Sequence, residues 1–106
     1  MNLLSRAEEI ILLAVLKLDG EAYGIAIRDL ILEATGVEWS LASIYEPLDK
    51  LTRKDYVRKS RGEPTPERGG RHKCLYRITA EGVKALAEIR RVQDRIWAGV
   101  PRKVQG

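Results

Sequence analysis

Residues 56–79, YVRKSRGEPTPERGGRHKCLYRIT, decide how this chain is read. Two short runs with strand character, Tyr56 to Arg61 and His72 to Thr79, flank a tip that holds Gly62, Pro64, Pro66, Gly69 and Gly70. In the second run Cys74, Tyr76 and Ile78 fall on one face and Lys73 and Arg77 on the other, the alternation of a half-buried strand. Gly and Pro at that density predict a loop, so the two runs pair as a hairpin. Seven basic residues, Arg58, Lys59, Arg61, Arg68, Arg71, Lys73 and Arg77, stand against Glu63 and Glu67. A basic hairpin reached directly from a helix has the shape of a wing, suited to lying along the phosphates of a duplex.

The charge of the whole chain is divided in the same sense. The formal net charge is only +4, but residues 1–49 carry three basic and nine acidic side chains, a net of −6. Residues 50–106 carry sixteen and six, a net of +10. Such a split points to one face that meets a polyanion and another with a different purpose. At 106 residues the chain is expected to be one domain with a modest core. Its single cysteine, Cys74, excludes an internal disulfide framework and suits a reducing cytoplasm. The longest strongly apolar run, Ile10 to Leu16, is far short of the ~20 residues that span a bilayer.

Upstream of the hairpin the periodicity is helical. Ser5 is a candidate cap for a first helix with Glu8 and Glu9 in its first turn, stopping near Leu18 at Asp19-Gly20. Its middle, IILLAVL, is apolar all the way round, which predicts burial on more than one side. Ile11 and Val15 are therefore expected at a contact with a second subunit. A second helix is expected from about Ile25 to Thr35, ended by Gly36. Ser40 is a candidate cap for a third, with Leu41, Ile44, Leu48 and Leu51 inward and Ala42, Ser43, Tyr45, Glu46, Asp49, Lys50 and Arg53 outward. Pro47 favours a start nearer Ser43, since an interior proline costs about 3 kcal/mol. After the hairpin, Thr79 caps a last helix to about Ala98. On it Leu86, Ile89, Val92, Ile96 and Val100 form an apolar stripe beside Trp97, expected to be covered by a second copy of the chain.

The predicted fold is mainly α with a small β-hairpin: a winged helix-turn-helix over residues 1–79, then a C-terminal dimerisation helix and tail over 80–106. In that fold the third helix enters the major groove and the second braces it across the backbone. Arg61, Arg68, Arg71 and Lys73 are the expected phosphate contacts, and Ser43, Tyr45 and Lys50 the candidates in or beside the major groove.

Three separated segments, GEAYGIAIRDL, SIYEPLDKLTRKDYV and GGRHKCLYRITAEG, resemble the PadR family of transcriptional regulators, in the family's order and over roughly residues 7–87. The short C-terminal part resembles the compact branch with a single dimerisation helix. The resemblance implies a homodimeric, ligand- or stress-responsive repressor that binds an inverted-repeat operator. It also implies roles for single residues. Tyr23 and Gly24 match the aromatic-glycine pair that opens helix two. Ser43, Ile44 and Tyr45 match the start of the recognition helix, whose tyrosine lies at the DNA surface, and Arg71 and Lys73 match basic wing positions. Glu46 and Pro47 depart from the usual residues of that helix, so no base-reading code is carried over.

Other chemistries find little support. His72 and Cys74 lie two apart but are too few for a metal site, and no CxxC accompanies them. No GK[ST] follows the glycines of the hairpin tip, so they are not a P-loop. No nucleophile or carboxylate arrangement surrounds the lone His72, and no enzyme or cofactor is expected. Two further readings stay open. One is a ligand sensor in which paired Trp97 rings at the dimer interface stack on a flat effector. The other is a protein–protein adaptor whose wing takes an acidic partner.

Overall fold

The computed structural model describes residues 3–64 and 72–101, without the side chains of 62–64, 72 and 73. The elements follow the order α1 (Arg6–Leu18), α2 (Gly24–Thr35), α3 (Leu41–Arg53), β1 (Val57–Pro64), β2 (His72–Ile78) and α4 (Ala80–Trp97). Their ends follow from local chemistry. Ser5 Oγ accepts from the Glu8 amide at 3.1 Å while a Glu8 carboxylate oxygen accepts from the Ser5 amide at 2.8 Å, a reciprocal capping box that starts α1. Asp19 takes the left-handed conformation that stops it. Thr79 starts α4 by accepting from the Gly82 amide and donates its own hydroxyl proton to the Asp55 carbonyl at 2.7 Å.

α1 is the central helix. It packs against α2, α3, β2 and α4, which is why apolar residues surround it. Ile11, Leu12, Ala14 and Val15 are buried in this one chain, at 0, 0, 2 and 1 % exposure. The expectation that Ile11 and Val15 meet a second subunit is therefore corrected: both lie inside the protomer's own core. The apolar side chains that α1 leaves open are Leu13 and Leu16. α4 divides likewise. Leu86 and Ile89 are buried by the chain itself, whereas Ile96 and Trp97 are 68 and 54 % exposed, with Val92 and Val100 half-buried. Only the distal part of that stripe is left for another molecule.

β1 and β2 pair antiparallel with Val57 opposite Ile78, Lys59 opposite Tyr76 and Arg61 opposite Cys74. A register shift between Arg61 and Pro64 carries β1 past its expected end at Arg61. Pro64, which has no amide proton to give a ladder, marks the strand's end. A further tie is not visible in the sequence: the Tyr76 amide donates to the Ala22 carbonyl at 2.8 Å, making Ala22 a one-residue bridge beside β2. The hairpin is thus fastened to the connector between α1 and α2.

Candidate nucleic-acid interface

α3 begins at Leu41, not near Ser43. Ser40 Oγ accepts from the Ser43 amide at 3.1 Å and so caps the helix, leaving Pro47 inside it. The cap satisfies the first turn, and the helix accommodates the proline two turns later at the cost of one hydrogen bond. Pro47 has no amide proton, so the Ser43 carbonyl lacks its usual donor four residues on. Ile44, Leu48 and Leu51 anchor the inward side at 0 % exposure, while Leu41, expected inward, is 40 % exposed at the helix's first residue. The outward set is otherwise as expected: Ala42, Ser43, Glu46, Asp49, Lys50 and Arg53 are all exposed.

Tyr45 is half-buried rather than outward, packed against the core. Its hydroxyl lies against Gly24 at the start of α2, and a methyl group built on Gly24 would stand 2.6 Å from the ring's Cζ. Only glycine admits this approach, so the Tyr23-Gly24 pair and Tyr45 form one joint between α2 and α3. Tyr23 is half-buried at the cap position of α2. Tyr76 of β2 belongs to the buried core against which Tyr45 packs. Burial, with smaller contributions from Cys74, Tyr45 and Asp49, pushes its phenol up to about 12, so it stays protonated at any physiological pH. Tyr76 is 2 % exposed and shares one buried core with Ile44, Leu48 and Leu51 of α3.

The far end of α3 is fixed by charge. Lys54 Nζ meets the Glu8 carboxylate at 2.8 Å, joining the C-terminal end of α3 to the first turn of α1. Burial raises the Glu8 carboxyl, but the Lys54 ammonium and the Ser5 amide outweigh it and hold the group below its ordinary value. Beside this pair an open groove of about 530 Å³ runs between α1 and α3, lined by Trp39, Ser43, Glu46, Pro47 and Lys50 among others. Trp39 is half-buried where the connector between α2 and α3 meets the core.

Of the wing's basic residues, Arg58, Lys59, Arg61 and Arg77 are exposed. Arg68 and Arg71 lie outside the described residues, as does the side chain of Lys73. Arg58 and Arg77 are direct cross-strand partners. Like charges placed opposite each other are destabilising, a cost that a bound anion removes. Sequence reasoning counted these two only as charge, because their pairing depends on register. The structure brings Tyr23 and Tyr45 together at one joint, with Ser43 and Lys50 exposed on the adjoining face of α3. Trp97 stands apart, at the exposed end of α4.

A helix-turn-helix with an exposed third helix, packed against a basic two-stranded wing, is the arrangement of a winged-helix DNA-binding protein. The family model of the PadR-like transcriptional regulators matches residues 12–88. The chain belongs to the PadR family. PadR regulators with solved structures share this fold. A PadR-like regulator from Bacillus cereus superposes with a TM-score of 0.74 at 20 % identity, over 93 % of this chain and 91 % of that one. A PadR family regulator from Clostridium difficile gives 0.69 at 20 % identity, over 96 and 100 %. RosR of H. salinarum gives 0.72 at 24 % identity, over 96 and 84 %. Among curated proteins no relative matches the chain. The chain is thus a DNA-binding transcriptional regulator. Among the described residues no helix is long and apolar enough to cross a membrane, and no three His, Cys, Asp or Glu side chains gather as a metal site would need.

Proposed function

We propose that this PadR-type regulator is a cytoplasmic homodimer that represses transcription by binding an inverted-repeat operator. The observation that carries the reading is an exposed α3 face and a basic hairpin seated on one core, into which α3 sends Ile44, Leu48 and Leu51 and the hairpin Val57 and Tyr76. Ser43 and Lys50 face the major groove with Tyr23 beside them, while Tyr45 positions α3 against α2. Arg61, Arg68, Arg71 and Lys73 take phosphates or the adjacent minor groove. The distal stripe of α4 (Val92, Ile96, Trp97 and Val100) meets a second copy together with Leu13 and Leu16 of α1. Two such subunits set two recognition helices about one helical turn apart, roughly 34 Å.

An effector reading has one specific observation behind it. Trp97 is 54 % exposed at the end of α4, so a dimer that brings two such rings near each other can accept a flat molecule between them. Both readings are tested together by titrating the protein against its own upstream promoter DNA and a scrambled duplex at two salt concentrations. Sedimentation under the same conditions reports the dimer. Preferential, salt-sensitive binding of a dimer to the promoter is the expected result. Equal and weak binding to both duplexes contradicts autorepression. Quenching of Trp97 by flat aromatics then favours the sensor, and binding to an acidic protein but not to duplex favours the adaptor.

A further inference from the structure

The exposed groups of α3 are ordered along its axis, acceptors first and donors last. Glu46, in the middle of the helix, is exposed, and among the described residues its carboxylate makes no ion pair or hydrogen bond. One turn earlier, Pro47 has removed the donor that would have occupied the Ser43 carbonyl. One turn later come Lys50 and Arg53, both exposed and neither ion-paired among the described residues.

An unpaired carboxylate on a helix that approaches DNA needs an explanation. A duplex carries one negative charge per about 1.7 Å of axis, so Glu46 weakens binding to any sequence that gives it no proton donor. The major groove exposes only two donors, the N4 amino group of cytosine and the N6 amino group of adenine. Beside the adenine amino group stands N7, an acceptor, which repels a carboxylate and suits an amide instead. Cytosine has no such neighbour. Lys50 follows four residues later, about 6 Å along the helix, a distance near two base-pair steps of roughly 3.4 Å. The complementary acceptors for an ammonium are guanine O6 and N7.

We propose that Glu46 is a specificity-determining residue that selects cytosine at one position of each half-site through its N4 amino group, with a guanine about two base pairs away opposite Lys50. The inference rests on the reading that α3 enters the major groove. It assigns the α3 surface a sequence preference through an exposed, unpaired carboxylate.

The experiment is enrichment of binding sites from a random duplex library by the full chain and by its Glu46→Gln and Glu46→Ala variants, with a thermal melt of each. Position 46 is exposed, so all three are expected to melt alike. The wild-type chain should enrich a half-site with one cytosine whose replacement by thymine costs about tenfold in affinity. Glu46→Gln should move that single position from cytosine to adenine, the base an amide complements. Glu46→Ala should lose the preference and bind random duplex more tightly than the wild type. If all three proteins enrich the same half-site, the role of Glu46 is overturned while DNA binding stands. If none binds duplex of any sequence, the reading of α3 as a major-groove helix fails and takes this inference with it.

Discussion

The wing and α3 lie on one frame but carry opposite surface chemistry. Among its described residues the wing exposes four cations, Arg58, Lys59, Arg61 and Arg77, and no exposed anion, with Ser60 between them. α3 exposes Glu46 and Asp49 alongside Lys50 and Arg53, so its outward charges cancel. A uniformly cationic surface gains energy from any phosphate backbone and so contributes affinity without selecting sequence. A surface of mixed sign gains little from phosphates and is favourable only where its donors and acceptors find partners. The difference teaches how the proposed binding mode divides its labour: the wing supplies affinity, α3 supplies selectivity, and the core they share carries both.

The most damaging change to that arrangement is to the core beneath α3. Leu48 is fully buried, and Leu48→Ala should cost roughly 3 kcal/mol of stability, read as a lowered midpoint of urea denaturation. Both elements would fail together, because neither is held independently. Gly82→Ala acts next, on the wing side. A Cβ there would press on the Tyr56 carbonyl and stand 2.7 Å from Ile78 Cγ1, and a backbone atom cannot swing aside. A loss of about 2 kcal/mol is expected, with amide exchange accelerating first at the base of the hairpin.

A smaller effect should appear in acid. The folded Glu8 carboxyl lies below its ordinary value of 4.5. Its contribution is therefore complete above the unfolded value and is withdrawn as pH falls through the folded one. Lys54→Met should remove most of this contribution, roughly 1 kcal/mol or less given the exposed lysine. Stability measured at pH 7 should fall slightly, and the acid limb of the stability curve should flatten. An unchanged acid limb would mean that Lys54 does not fix the end of α3.

Much of this frame can be read in the residues themselves. Ser5 with Glu8, Asp19-Gly20, Gly36 and Thr79 are local signals, and the structure ends its helices where they stand. The alternation through Cys74, Tyr76 and Ile78 names the inward face of β2 because period two leaves no other choice. Legibility stops where a fact depends on what lies across space. The outward side of α1 cannot be told from an all-apolar run, so Ile11 and Val15 were expected at a partner, whereas Leu13 and Leu16 are the ones left exposed. Pro47 argued for a late start to α3, yet the Ser40 cap begins it earlier and the proline is carried inside. The Ala22 bridge and the Arg58–Arg77 pair are consequences of register, which no composition reveals. The approach of Tyr45 to Gly24 is tertiary, although the residue types that permit it stand in the sequence.

The most direct test of this division of labour is Arg61→Ala, titrated against an enriched half-site duplex and a scrambled one over a range of salt. Affinity should fall by the same factor on both duplexes, and the salt slope should drop by about one unit per contact, hence about two per dimer. Loss of discrimination between the duplexes with an unchanged slope would contradict that division, for the wing would then be reading sequence.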